Sequence, residues 1–162
     1  MSLLSIFSQE DYQKGSVILT AETLKNEVYK AFTFSDEFGS QHRLNFFSDR
    51  EYLVMTTDRL FKWVNKYHTS IYSFGKYIPE TLDCDDHEAM FAGDRVKGRW
   101  KSRLKAVEAI GWIDYFPKSG VYHRAAWAAS TNAGKFLFHI YQPQVGTWND
   151  GSEVVRGVLA GA

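Results

Sequence analysis

The strongest constraint on the fold is a hairpin written near the end of the chain. Val121 to Ser130 and Lys135 to Tyr141 have strand composition, and Thr131-Asn132-Ala133-Gly134 between them has turn chemistry. Side chains alternate faces along a strand, so Val121, His123, Ala125 and Trp127 share one face. Phe136, Phe138, Ile140 and Gln142 share one face of the next strand. If Ser130 opposes Lys135, counting back along both strands puts His123 directly across from Gln142. A two-residue turn at Asn132-Ala133 gives the same pairing, whereas a three-residue turn slips the register by one and turns Gln142 away. A histidine and a glutamine set among Phe, Ile, Trp and Ala need partners, and each can serve the other.

A second constraint is Thr81-Leu82-Asp83-Cys84-Asp85-Asp86-His87-Glu88-Ala89-Met90-Phe91, which holds the chain's one cysteine. Asp83 suits a helix N-cap, which makes Cys84 the first helical residue. Ala89, Met90 and Phe91 supply an apolar side to bury. A thiol at a helix N-terminus sits at the positive end of the backbone dipoles, which favours the reactive thiolate. The plainer role of a lone cysteine is that of a small core residue. Read as chemistry, Cys84 is the nucleophile, His123 the base that takes and returns its proton, and Gln142 the group that orients the imidazole. His87 is a flank or a ligand rather than the base. Asn65, Tyr72, Tyr77 and the backbone N–H of Cys84 are candidates for stabilising an oxyanion.

Four acids crowd that thiol. Asp83, Asp85, Asp86 and Glu88 place negative charge beside it and oppose the helix dipole. Either they face solvent or a cation neutralises them. Hard oxygen ligands of this kind suit calcium, with Asp83, Asp85 and Asp86 as the metal ligands. The other role for them is an ordinary acidic first turn.

The rest of the chain places these elements. Thr20 to Phe32 reads as a helix capped by Thr20, with Leu24 and Val28 at helical spacing. Arg43 to Phe47 and Glu51 to Met55 are short strands or extended segments. Thr57 before Asp58 marks another helix start, and Leu60, Phe61, Val64 and Tyr67 form its buried stripe. Residues 71–80 read as extended, since Pro79 disfavours helix just before it. Gly93 to Lys101 reads as a basic, glycine-punctuated surface loop or hairpin. Residues 106–116 gain strand character towards their end. Residues 146–162 are glycine-rich and weakly patterned.

A length of 162 residues fits one domain, divided as 1–77, a mixed N-terminal part, 78–148, the Cys helix and sheet core, and 149–162, a tail. Nineteen basic residues balance nineteen acidic ones, which speaks against nucleic acid and a polybasic membrane surface as partners. No apolar run approaches the ~20 residues of a membrane span. The start lacks a basic n-region and a cleavage site. One cysteine excludes an internal disulfide framework and fits a reducing compartment.

Asp83-Cys84-Asp85-Asp86-His87-Glu88-Ala89, then His123, then Tyr141-Gln142-Pro143-Gln144, resembles the site pattern of papain-like and transglutaminase-like cysteine peptidases. It is most similar to the papain-like C-terminal domain of the Marasmius agglutinin and its bacterial and phage relatives. There a Cys-Asp helix, a strand histidine and a Glu-Pro-Gln strand end follow in this order; Gln142 stands where that pattern has its acid. The resemblance implies an α+β, papain-like fold, with N-terminal helices and the Cys-bearing helix packed on an antiparallel β-sheet. It implies a cysteine-dependent peptide or amide hydrolase acting on a peptide or protein substrate, and a calcium-dependent one. The second reading is a catalytically silent relative acting in binding or as a phage structural or accessory protein. Either would sit in the cytoplasm or with a phage particle.

Overall fold

The structure, a computed structural model, describes residues 11–32, 47, 49–69 and 83–162. Its organising strand is β2 (Glu51–Thr56), whose Tyr52, Leu53, Val54 and Met55 are all buried. A strand buried at every successive position is covered on both faces. Tyr52 and Val54 enter one core, with Leu24, Val28 and Phe32 from helix α1 (Ala21–Ala31) and its end. Leu53 and Met55 enter the other. There they meet Leu60, Trp63 and Val64 of α2 (Thr57–Tyr67) and Phe91 of α3 (Cys84–Ser102).

The remaining strands are β1 (Val17–Thr20), β3 (Val107–Glu108), β4 (Ile110–Pro117), β5 (His123–Asn132), β6 (Lys135–Gln142), β7 (Thr147–Asp150) and β8 (Val154–Gly161). The sheet runs β1-β2-β5-β4-β8, with β3 beside β2, β6 beside β5 and β7 beside β6. Most pairings are antiparallel, but β2 lies parallel to both β3 and β5. The expected papain-like layout, helices first and then an antiparallel sheet, is therefore corrected. The sheet is mixed, two of its strands come from the N-terminal half, and helices cover both faces. The reason is the apolar run in β2: with no polar face to show water, it takes a central place between β1 and β5. Residues 149–162, read as a weakly patterned tail, supply the end of β7 and all of β8, which pairs with β4. Residues 43–46 and 71–80, read as extended, lie outside the described residues.

The hairpin forms with a tighter turn than expected. Asn132 faces Lys135 and Ala126 faces Tyr141, so the loop is Ala133-Gly134. Both residues have positive φ, 48° and 78°, as a two-residue turn matched to strand twist requires. The register is two residues off the expected one. A slip of two preserves which face each side chain takes, whereas a slip of one would invert it.

Helix α3 does not stop after Phe91 but runs to Ser102 through Gly93 and Gly98, replacing the loop or hairpin expected there. Gly98 has a packing reason. A Cβ on it would lie 2.8 Å from Tyr67 Cβ and 2.9 Å from Trp63 Cζ2, so glycine is what lets α3 close onto α2. Trp63 Nε1 donates to Ser102 Oγ at 2.9 Å, and that hydroxyl donates to the Gly98 carbonyl at 2.7 Å. On its other side α3 is tied to β3. Glu108 is fully buried, 3.1 Å from Arg99 Nε and 3.6 Å from Arg95 Nη1, and Arg95 also donates to the Ile110 carbonyl.

Candidate functional site

At the open end of the hairpin, β4, β5 and β6 bring three polar side chains together. His123 opens β5, Gln142 closes β6, and Tyr115 faces His123 from β4. His123 Nε2 donates to Gln142 Oε1 at 2.6 Å. Gln142 Nε2 donates to the Tyr115 hydroxyl at 2.9 Å. Tyr115 therefore sets the orientation of the Gln142 amide, and the amide oxygen sets the imidazole tautomer. With Nε2 protonated, Nδ1 carries the lone pair. The His123 and Tyr115 rings meet edge to face at 5.7 Å.

Gln144 completes the cluster. Its Nε2 donates to Gln142 Oε1 at 3.3 Å and lies 3.4 Å from His123 Nε2, a contact of two donors rather than a hydrogen bond. Its Oε1 is buried without a partner. Continuing the observed register sets His123 across from Gln144 and leaves Gln142 diagonal to it. Sequence reasoning passed over Gln144 and Tyr115. The signal for Gln144 was its two-residue spacing from Gln142, which keeps it on the same face.

Cys84 begins α3, half-buried, with Asp83 as N-cap. A reciprocal capping box holds this start, with the Asp83 N–H donating to Asp86 Oδ2 at 3.2 Å. Helix α3 packs on the sheet face that carries Ala126 and Ala128. His123 belongs to the other face, with Ala125 and Trp127. The structure thus brings His123 and Gln142 together, and Cys84 is not among the hydrogen-bond partners of either. The neighbours of the α3 start are Tyr122 and Arg124. Burial, with Asp114 beside it and a smaller push from Cys84, moves the Tyr122 phenol up to about 12. Arg124 grips the buried Asp114 with two bonds, 2.6 and 2.7 Å, which hold the guanidinium firmly protonated.

Asp83, Asp85 and Asp86, expected as calcium ligands, stand at the start of α3. Asp86 caps the Asp83 N–H. Asp85 and Asp83 hydrogen-bond each other, which holds Asp83 below the usual carboxylate range and pushes Asp85 above it. Among the described residues no group of three or more His, Cys, Asp or Glu is placed to hold a metal ion.

Two other histidines, the half-buried His139 and the buried His68, lie on the α3 side of the sheet. His139 Nε2 bonds Ser130 Oγ at 2.8 Å, and burial lowers its pKa. His68 Nδ1 lies 2.5 Å from the Tyr141 hydroxyl, and its ring meets Phe91 at 4.7 Å. Burial lowers His68 from 6.5 to about 4, against the pull of Asp94 and with a smaller push from His87. The neutral form is the one the fold accepts. Its contribution is complete above pH 6.5 and is lost as pH falls from there towards 4, worth on the order of 2–3 kcal/mol. Melting temperature followed from pH 7.5 to 4 should fall across this window, and His68→Gln should flatten the fall. An unchanged slope in that variant would remove His68 as the cause.

Among the described residues no helix is long and apolar enough to cross a membrane. No family model and no curated protein matches the chain. Solved structures do. The PSL1a-E64 complex is similar at 21% identity and a TM-score of 0.66, over 90% of this chain and 51% of that one. Polyporus squamosus lectin bound to the human-type influenza-binding epitope Neu5Aca2-6Galb1-4GlcNAc is similar at 21% identity and a TM-score of 0.59, over 87% and 49%. These likenesses take the place of the papain-like and transglutaminase-like resemblance, which no family model or curated relative supports. The cysteine hydrolase reading, drawn from that resemblance together with its thiol-protease and phage associations, is corrected with it. Helix α3 and His123 take opposite faces of the sheet. The chain spans about half the length of each of these two structures, and what it shares with them is the fold.

Proposed function

We propose that this chain is a binding module, and that it seats a small polar ligand on the cluster of His123, Gln142 and Gln144. The observation that carries the reading is the orientation of this cluster. Tyr115 fixes Gln142, Gln142 fixes His123, and the buried Gln144 Oε1 is left as an acceptor without a donor. A buried acceptor without a donor is costly, and a ligand hydroxyl or amide N–H relieves that cost. Val121 and Tyr122, both exposed next to His123, offer an apolar rim. Such a mix of an apolar wall and a few oriented polar groups is how small-ligand sites are built. E64 and Neu5Aca2-6Galb1-4GlcNAc, the compounds in complex with the two similar proteins, are the first candidates.

The test is calorimetric titration of the chain with each of these two compounds. One of them should bind, and His123→Ala and Gln142→Ala should each weaken it at least tenfold. Cys84→Ser reports whether the helix start takes part. Binding that survives both cluster variants places the site elsewhere, and absence of binding by both compounds removes the reading.

A further inference from the structure

We propose that the C-terminal half of α3 is a docking surface for an acidic protein segment anchored by an apolar side chain. Val96 is 60% exposed and Trp100 is 80% exposed. They stand four residues apart, on one face of the helix. Together with Arg99, Lys101, Arg103 and Leu104 they line a concavity of about 800 Å³. None of the described lining residues is acidic.

Basic residues in a last helical turn are ordinary, because they complement the dipole. That accounts for Arg99 and Lys101 but not for a tryptophan with four-fifths of its surface in water beside an exposed valine. Trp and Arg are the residue types that carry most binding energy where proteins meet, and an exposed apolar patch rimmed by charge is the form such sites take. The charge pattern selects the partner. The chain is neutral as a whole, yet α3 separates its charges, with Asp85 and Asp86 in its first turn and Arg99 and Lys101 in its last. A second copy would set cations against cations at a symmetric contact, which is unfavourable. A nucleic acid would need a row of phosphate contacts; here Arg99 is already paired with Glu108, and Lys101 and Arg103 flank Trp100, the one aromatic among the described lining residues. An acidic segment with an aromatic or aliphatic anchor matches both the rim and the floor.

The experiment is selection of a displayed random 12-residue peptide library on the immobilised full chain, with the Trp100→Ala chain as counter-target. Enriched peptides should carry several Asp or Glu around an apolar anchor. A fluorescent copy of the best peptide should lose at least tenfold affinity to Trp100→Ala and to Arg103→Glu, and should weaken as salt rises. Gln142→Ala should bind it normally, which separates this surface from the cluster at His123. Enrichment of neutral or basic peptides, or none beyond the counter-target, overturns the proposal. So does a concentration-dependent dimer in sedimentation that Trp100→Ala abolishes, or tighter binding of a 12-nucleotide single strand than of any peptide.

Discussion

Glu108→Ala should lower the unfolding free energy by about 3–5 kcal/mol, the usual cost of removing one partner from a buried ion pair. Glu108 is fully buried, with Arg99 and Arg95 beside it. Burial pushes its carboxyl up, while the two guanidinium groups pull it back down. Burial also presses on Arg95, whose pKa it lowers. Removing the carboxylate leaves that guanidinium in the protein with the Ile110 carbonyl, the Phe91 ring and the weaker pull of Glu88 in compensation. Glu108→Gln keeps the volume and loses the charge, so it should separate packing from electrostatics. Urea denaturation of the three proteins at pH 7 measures this. A loss under 1 kcal/mol for the alanine variant would mean that water reaches Arg95 once the carboxylate is gone.

Trp63→Ala should cost a similar amount, about 3–5 kcal/mol, by leaving a large cavity between α2 and α3. Trp63 is wholly buried, and its ring is what a Cβ on Gly98 would strike. Trp63→Phe should cost clearly less. It retains most of the apolar contact and gives up the bond to Ser102, whose hydroxyl keeps its bond to the Gly98 carbonyl. Equal losses for the two variants would show that the Trp63–Ser102 hydrogen bond, rather than volume, holds α3 in place.

Much of the local structure was legible because it rests on short-range rules. Thr20 caps α1, accepting from the Thr23 N–H, as its residue type suggested. Cys84 opens a helix capped by Asp83, again from local chemistry. The hairpin 123–142 was readable from alternation and turn residues, and the shared face of His123 and Gln142 with it. The exact pairing was not, because Asn132 can enter the strand as readily as the turn. Only the ladder to Lys135 decided which.

Gly93 and Gly98 misled for a related reason. Glycine disfavours a helix interior by about 1 kcal/mol, so two of them in a basic stretch read as a loop. The contact of α3 with Trp63 and Tyr67 outweighs that preference, and it is invisible until two distant segments pack.

By itself the sequence determined the helices around Leu24, Val64 and Cys84, the existence of the hairpin, and the face on which His123 and Gln142 meet. Each follows from residues within a few positions of one another. Only the tertiary structure decided that β2 lies parallel to β5 at the centre of a mixed sheet, and that α3 and His123 take opposite faces of it. It also decided that Tyr115 and Gln144 join the cluster. The physical reason is that these outcomes depend on which buried surfaces meet across long sequence separations. Burial rewards any arrangement that hides the same apolar residues, so local preference does not choose among them.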